Sequence, residues 1–444
     1  FEEVVQRAYQ QRVDLSAHGF FATPGVDFDR EAGRGTPFAY YVYGVGISEV
    51  TVDLLTGAAT VDRVVLVHEA GESLNPAVDR GQVIGSFWTG SIDHGCTAWM
   101  ALLAWWHHAY TGDAALLRDL AWPLLRGAFA GYWAMLDDDG RGGLRLPVSV
   151  SPEFRGSAMN AWGVNASFQL AALHATVQAL RQAAVRLGHP TDPRWDEVER
   201  RVPPYALIEG PHFIEWQGKP EPRIGLWQGQ DLDFSHRHHS HLAGIWPFAS
   251  FDPADPAHAG IVANSIHRWT LIGPGGWSGW CVPWAAILWA RAGEADAWAH
   301  WLRHWVSAFT NEGGGTLHDA AFPGGSALAS RAFHRDAADA PHDEIFQLDA
   351  GMGAILAIGE LLCRERADGT LAVLPAGLPR GWRSLAWRNL RVPGGFLLDG
   401  VVADGALRTL TITATVTGAL RLTAGGRRHA RRLRAGERLT LRSA

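Results

Sequence analysis

The hydrophobic period of the chain changes inside one stretch, GQVIGSFWTGSIDHGCTAWM, Gly81 to Met100. Before it, short apolar runs are broken by Gly, Pro and Asp, the pattern of short strands and turns. After it, long Ala- and Trp-rich runs recur with helical spacing. The two patterns bury different faces, so the chain reads as two differently built parts meeting near Ser86. A length of 444 residues leaves room for two or three domains.

In the first part, FEEVVQRAYQQRV predicts a short helix. The runs Tyr40–Leu54 and Ala59–His68 flank Thr56-Gly57 and predict a hairpin. Asn75-Pro76 predicts a turn. From Cys96 onward, TAWMALLAWWHHAYTGD predicts a helix stopped at Gly112, and Asp113 suits the N-cap of the next. AWGVNASFQLAALHATVQALRQAAVRLG predicts a third helix closed by Gly188. Further helices are expected near Arg194–Arg201, Ala257–Trp269, Trp280–Ala292, Ala295–Phe309 and Phe346–Arg364. Consecutive helix pairs of this kind predict an all-α toroid or barrel. After Leu374-Pro375, LRTLTITATVTGALRLTAGG alternates with period two and predicts a small antiparallel β domain. The expected divisions are residues 1–86, 87–375 and 376–444.

Composition narrows the function. A formal net charge of -6 calls for neither nucleic acid nor an anionic membrane as partner. No apolar run reaches the ~20 residues that span a bilayer. Cys96, Cys281 and Cys363 lie far apart without CxxC spacing, which excludes a disulfide framework and a zinc knuckle. The arginines of RRHARRLRAGER, Arg427 to Arg438, read as a solvated strand face. A start at Phe1 without Met or an apolar leader reads as a fragment of a longer product. The 21 tryptophans are more than an ordinary core needs, although packing in helix seams accounts for most of them. Flat indole faces suit the C–H face of a sugar ring, which points to a carbohydrate site.

Three loops hold the residues that could act on a sugar. SPEFRG presents Glu153 before a helix. DLDFSHRHHSHLAGIWPF holds His236, His238, His239 and His241 around Arg237. PHDEIFQLDAGMG carries Asp343, Glu344 and Asp349 at the mouth of an apolar helix. Each has a plainer reading. Glu153 can be a first-turn acid facing a helix dipole, and Asp349 can be a helix cap. The histidines lack an acidic ligand at zinc spacing, so no metal and no other cofactor is expected. Taken together, with Trp277, Trp280 and Trp284 between them, the loops favour a sugar pocket. Glycoside hydrolysis needs two carboxyls, one as acid and one as base or nucleophile; inverting enzymes hold them ~6.5–9.5 Å apart.

The segments TAWMALLAWWHHAYTGDAALLRDLAWPLL, VSVSPEF, HRHHSHLAGIWP, GGWSGWCVPWAAILWARAGEADAWAHWL, FQLDAGMGAILAIGELL and LPAGLPRGWRSLAWRNLRVPGGF occur in that order. They resemble the catalytic region of glycoside hydrolase family 95, the group of α-L-fucosidases that includes α-L-galactosidases. The resemblance implies an (α/α)6 barrel, a C-terminal β domain and inverting hydrolysis of terminal α-L-fucosides or a related sugar. It places the general acid on Glu153 and the base on Asp349. It makes His236, Arg237, His238 and His241 pocket or pocket-wall residues, and Trp99 and Trp277 stacking or lining residues. Two departures stand out. Gly351 occupies the place of a family Asn, and the early Asn-x-Asn helix has no counterpart.

The N-terminal segments AYQQRVDLSAHGFF, TPFAYYVYGVGISEVTVDLLTG and HEAGESLNPAVDRGQVIG resemble part of the molybdenum-binding subunit of xanthine dehydrogenase and aldehyde oxidase. That resemblance implies a cofactor contact at Gln82. The catalytic glutamate and the remaining cofactor segments of that family lie beyond the matched piece, so a remnant without molybdenum is expected. The chain therefore reads as a chimera joined near Gly85 to Trp88, its barrel short of the first helices. The competing readings are a carbohydrate-binding remnant without turnover and a molybdenum hydroxylase fragment.

Overall fold

The computed structural model describes residues 93–147, 149–157, 161–210, 221–321, 346–366 and 368–442, with residue 7 and four strands in the first 92 residues. The chain forms two compact units, Phe1–Val83 and Ile84–Ala444. In the first, β1 (Asp27–Asp29) pairs with β2 (Arg34–Thr36), and β3 (Gly44–Val52) pairs antiparallel with β4 (Ala59–His68). The second pair is the expected hairpin, with a register shift at Glu49/Val50. The expected first helix, the Asn75-Pro76 turn, Gln82 and the Gly85–Trp88 junction lie outside the described residues.

The second unit begins with helices. α1 (Gly95–Thr111) ends where Gly112 adopts φ 75°, and Asp113 then accepts from the amides of Ala115 and Leu116, as a cap residue should. The next helix is not uniform. A π segment, Leu117–Ala121, precedes α2 (Trp122–Met135), where Pro123 withholds an amide donor. α3 (Ser167–Leu187) closes at Gly188, φ 69°. Its expected start was early by several residues. Trp162-Gly163 instead form strand β8, paired with β7 (Ser149–Val150), and this pairing fixes the loop that carries Glu153. Two further short pairs, β5 (Asp137–Asp138) with β6 (Leu144–Arg145) and β9 (Leu207–Ile208) with β10 (Arg223–Ile224), brace other connections. α4 (Pro193–Arg201), α5 (Pro256–Ile272), α6 (Cys281–Arg291), α7 (Ala295–Ala308) and α8 (Leu348–Leu362) complete the helices.

Fifteen of the 21 residues of α3 are buried, so it lies at the centre of the packing and its alanines are contact surface. Trp195, Trp269, Trp277, Trp284, Trp298 and Trp305 are all buried, so much of the tryptophan excess fills seams between helices. The first and last of these helices differ from the rest. Met100 and Leu103 on α1, and Leu348, Met352 and Ile355 on α8, are 48–76% exposed. Apolar stripes of this kind mark faces built to be covered.

The C-terminal strands form two four-stranded sheets, β11-β12-β16-β17 and β13-β14-β15-β18. They comprise β11 (Cys363–Glu365), β12 (Leu371–Val373), β13 (Leu385–Val392), β14 (Phe396–Ala403), β15 (Ala406–Ala414), β16 (Gly418–Ala424), β17 (Arg427–Leu433) and β18 (Arg438–Arg442). The domain is antiparallel except at β12–β16, which run parallel (Leu371↔Leu422). Its sheets begin at Cys363, directly at the end of α8, because β11 and β12 are borrowed from the stretch expected to be helix and linker. Phe396, Leu398, Leu410, Ile412, Leu420, Leu422 and Leu433 fill its core.

Helices and sheets meet where α1 ends. The Gly394 amide donates to the Ala109 carbonyl at 2.7 Å, and a Cβ on Gly112 would lie 2.6 Å from Val416 Cγ2. Gly112→Ala therefore adds left-handed strain to a clash and should destabilise the second unit by about 1–2 kcal/mol. Thermal unfolding measures it; an unchanged midpoint contradicts this account of the junction.

Candidate active site

Glu153 sits at the tip of a tight turn between β7 and the 3-10 turn Phe154–Ser157. Its φ of 53°, and the same value at Arg155, are left-handed conformations that side chains with a Cβ rarely adopt. Strain of this kind persists only where surrounding contacts over-determine it. Here the clamp is the loop 230–240. Ser151 Oγ lies 2.5 Å from Ser240 Oγ, His236 Nε2 donates to the Pro152 carbonyl at 3.0 Å, and Arg155 donates to Gln230 at 3.0 Å and Asp233 at 3.3 Å. Phe154 is fully buried, stacked on Phe234 and edge-on to Trp227 and His236. The two motifs read separately in the sequence thus form one structure.

At the tip of the turn, His238 Nε2 donates to Glu153 Oε2 at 2.7 Å and the Arg237 guanidinium pairs with the same oxygen. The His238 hydrogen bond, backed by the charge of Arg237, holds the Glu153 carboxyl down to about 2 against the opposing effect of partial burial. Glu153 is therefore a carboxylate at neutral pH. His238 continues the arrangement outward. Its ring lies 5.3 Å from the half-buried Trp280, whose backbone amide donates to Gln347 Oε1 at 2.8 Å. Gln347 is the N-cap residue of α8, and Asp349 is exposed in that helix's first turn. A short run of contacts through His238 and Trp280 thus links Glu153 to Gln347, two residues before Asp349 and 194 positions after Glu153 in the chain. Gly279 makes this closeness possible: a Cβ there would lie 1.9 Å from the Leu317 carbonyl and 3.0 Å from Gln347 Oε1.

The other expected residues separate by depth. Arg237 and His238 are partly accessible, whereas His236 and His241 are buried. Burial pushes both of the latter down to about 4, so they are neutral imidazoles, and His236 braces the loop through the Pro152 carbonyl. Trp277 is 2% exposed, sandwiched between Trp269 and Trp301 and edge-on to His239. It has no open face for a sugar and stiffens the wall behind one. Trp99 packs against Phe168 and Phe248 and is half-buried. Asp343 and Glu344 lie outside the described residues.

Several contributors carried no separate signal in the sequence. His239 is fully buried, accepts from Trp269 Nε1 at Nδ1 and donates to the Cys281 carbonyl, which pins the histidine loop to α6. Gln347 and Ser240 act through contacts 67 and 89 residues distant. Asp93 stands before α1, 3.5 Å from Gln169, whose amide reaches the Val150 carbonyl on β7; burial pushes its carboxyl up to about 6. Gln169 is visible only as one polar residue among the alanines of α3. Among the described residues no cluster of His, Cys, Asp or Glu could hold a metal ion, and no helix is long and apolar enough to cross a membrane.

The shifts set the pH dependence of stability. His236 and His241 fall from 6.5 to about 4, so the unfolded chain takes up protons first and stability drops as pH falls from 6.5 towards 4. Glu153 falls from 4.5 to about 2, so its contribution is full above 4.5 and is lost as pH falls towards 2. Denaturant unfolding across this range should show both declines. Glu153→Gln should shrink the lower one; an unaltered profile contradicts the clamp.

Comparison with known proteins follows the same division of the chain. The glycosyl hydrolase family 95 catalytic domain matches residues 77–362, and the molybdopterin cofactor-binding domain matches residues 1–91. Xanthine dehydrogenase of Oryza sativa subsp. japonica is 49% identical over 90 residues, which are 20% of this chain and 7% of that protein. Xanthine dehydrogenase 1 of Arabidopsis thaliana is 43% identical over 117 residues, 26% of this chain and 8% of that one. The chain thus spans less than a tenth of these relatives. Among solved structures, Streptomyces avermitilis alpha-L-rhamnosidase complexed with L-rhamnose superposes with a TM-score of 0.38 at 12% identity, over 77% of this chain and 32% of that one. With a family 95 catalytic domain over residues 77–362 behind a xanthine dehydrogenase-like N-terminal stretch, the chain belongs to glycosyl hydrolase family 95.

Proposed function

We propose that the chain hydrolyses terminal α-L-fucosides or a closely related sugar with inversion, on an (α/α)6 barrel that lacks its first helices. In this reading residues 87–375 form the catalytic domain, residues 376–444 the β domain, and residues 1–86 a molybdenum hydroxylase-like remnant. The observation that carries the catalytic part is the run of contacts joining Glu153 to the α8 terminus that bears Asp349. Glu153 protonates the leaving oxygen and Asp349 activates the attacking water. A sugar entering beside Trp280 displaces water and Arg237 from Glu153. The carboxyl loses its charge partner, its pKa rises, and it takes up the proton needed for the leaving group. The proton comes from solvent, while His238 Nε2 stays hydrogen-bonded to Glu153 Oε2 at 2.7 Å. Arg237 and His238 face the sugar, His236 and His241 lie behind them, Trp99 lines the wall, and the buried Trp277 backs it.

The incomplete barrel is supported by the bare apolar faces of α1 and α8. In this reading the N-terminal stretch is given no step, because it corresponds to only 7% of the rice enzyme. A second reading, carbohydrate binding without turnover, draws on Gly351. A Cβ at that position would face Thr316 Cγ2 at 3.2 Å, so the polar side chain that the family places there is missing beside the proposed base.

Hydrolysis of 4-nitrophenyl α-L-fucoside by the wild type, Glu153→Gln and Asp349→Asn separates these readings. Each amide variant should lose about 10²–10⁴-fold in kcat with the fold intact. Full activity in Glu153→Gln refutes the assignment; L-fucose binding with no turnover in the wild type selects the second reading.

A further inference from the structure

The C-terminal domain carries a charge that the proposed reaction does not use. From residue 376 onward there are thirteen arginines against three acids, Asp399, Asp404 and Glu437, in a chain whose net charge is -6. The arginines concentrate on β17, an edge strand paired only with β16 in its sheet. Arg428 faces Thr423 and Arg432 faces Ala419, on the solvent side of the sheet with Arg421, because Leu420, Leu422 and Ala424 point into the core. Arg427 and Arg431 lie on the opposite side at the open edge, and all four β17 arginines are exposed. Arg421 is balanced by the neighbouring charges of Glu365 and Asp368. Among the described residues, none of Arg427, Arg428, Arg431 and Arg432 forms an ion pair.

Charged side chains protect a sheet edge from pairing with another strand. That role does not require four uncompensated cations within six residues, which repel one another until an anion meets them. Residues four apart on a strand are about 13 Å apart. Arg428 with Arg432, and Arg427 with Arg431, therefore form two straight rows of fork-shaped donors for carboxylate or sulfate groups. The strands β16 and β17 contain no Phe, Tyr or Trp on which an unpaired base could stack. They also expose no large apolar side chain that could enter a bilayer.

We propose that β17 docks an anionic polysaccharide along the sheet edge and holds the enzyme on a carboxylated or sulfated glycan. The choice of polymer rests on the carbohydrate reading of the active site, but the docking surface is separate from it.

Binding to polygalacturonate and to dextran sulfate, with neutral dextran as control, tests the proposal and separates carboxylate from sulfate. The wild type should bind one or both anionic polymers and not dextran, and should release them as salt rises from about 50 to 200 mM. The quadruple variant Arg427→Gln, Arg428→Gln, Arg431→Gln, Arg432→Gln should bind at least about tenfold more weakly. Its hydrolysis of 4-nitrophenyl α-L-fucoside should equal that of the wild type. If the quadruple variant does not fold, the pair Arg428→Gln, Arg432→Gln and the wild-type salt dependence decide. Salt-independent binding, undiminished binding in the variants, or preference for a single-stranded oligonucleotide or phosphatidylserine vesicles overturns the proposal. Polymer binding by a protein without glycosidase activity leaves it standing and overturns the catalytic reading instead.

Discussion

One oxygen, Glu153 Oε2, is held by both His238 and Arg237, and the site is organised around that contact. The donors come from a loop more than eighty residues further along the chain. That loop is fixed in turn, through His239 to the first turn of α6 and through Ser240 back to Ser151, just past β7. A carboxylate in a left-handed turn is costly on its own. Two cationic or hydrogen-bonding partners and the buried Phe154 beside it offset that cost. Removing either motif leaves the other with unmatched charge, so the pair is a unit of stability.

The electrostatics bear on the proposed mechanism. A general acid must carry a proton when the leaving group departs, yet the free site favours the carboxylate. In the proposed cycle the sugar resolves this by replacing water and Arg237 around Glu153, which couples protonation to binding. The buried imidazoles of His236, His239 and His241 stay neutral and add no competing charge. The indole stack of Trp269, Trp277 and Trp301 makes the wall behind them rigid.

Much of this architecture was legible in the sequence because it is written locally. Gly112 and Gly188 mark the helix ends they mark in the structure, and Asp113 caps the helix it was expected to cap. The SPEF and HRHHSH segments stood out as candidates because Glu, Arg and His cluster there without a hydrophobic period, and the structure brings them together. Depth was not legible. His236, His238, His239 and His241 are indistinguishable as letters, yet only His238 joins Arg237 at the carboxylate. Trp277 looks like a sugar platform in sequence and is a seam residue in the fold, because its partners come from α5 and α7. Gln347 gave no signal because its role is a single bond to an amide 67 residues away. The parallel β12–β16 pair was missed for the same reason: three residues after a helix carry no period of their own.

The account depends on Glu153 changing its protonation when sugar arrives. Carbon-13 NMR titration of the Glu153 carboxyl, assigned by its loss in Glu153→Gln, measures this directly. The free protein should titrate near the low value set by His238 and Arg237, about 2, and saturation with L-fucose should move the midpoint upward. A carboxyl that titrates like an ordinary glutamate in the free protein, or one that sugar leaves unmoved, contradicts it.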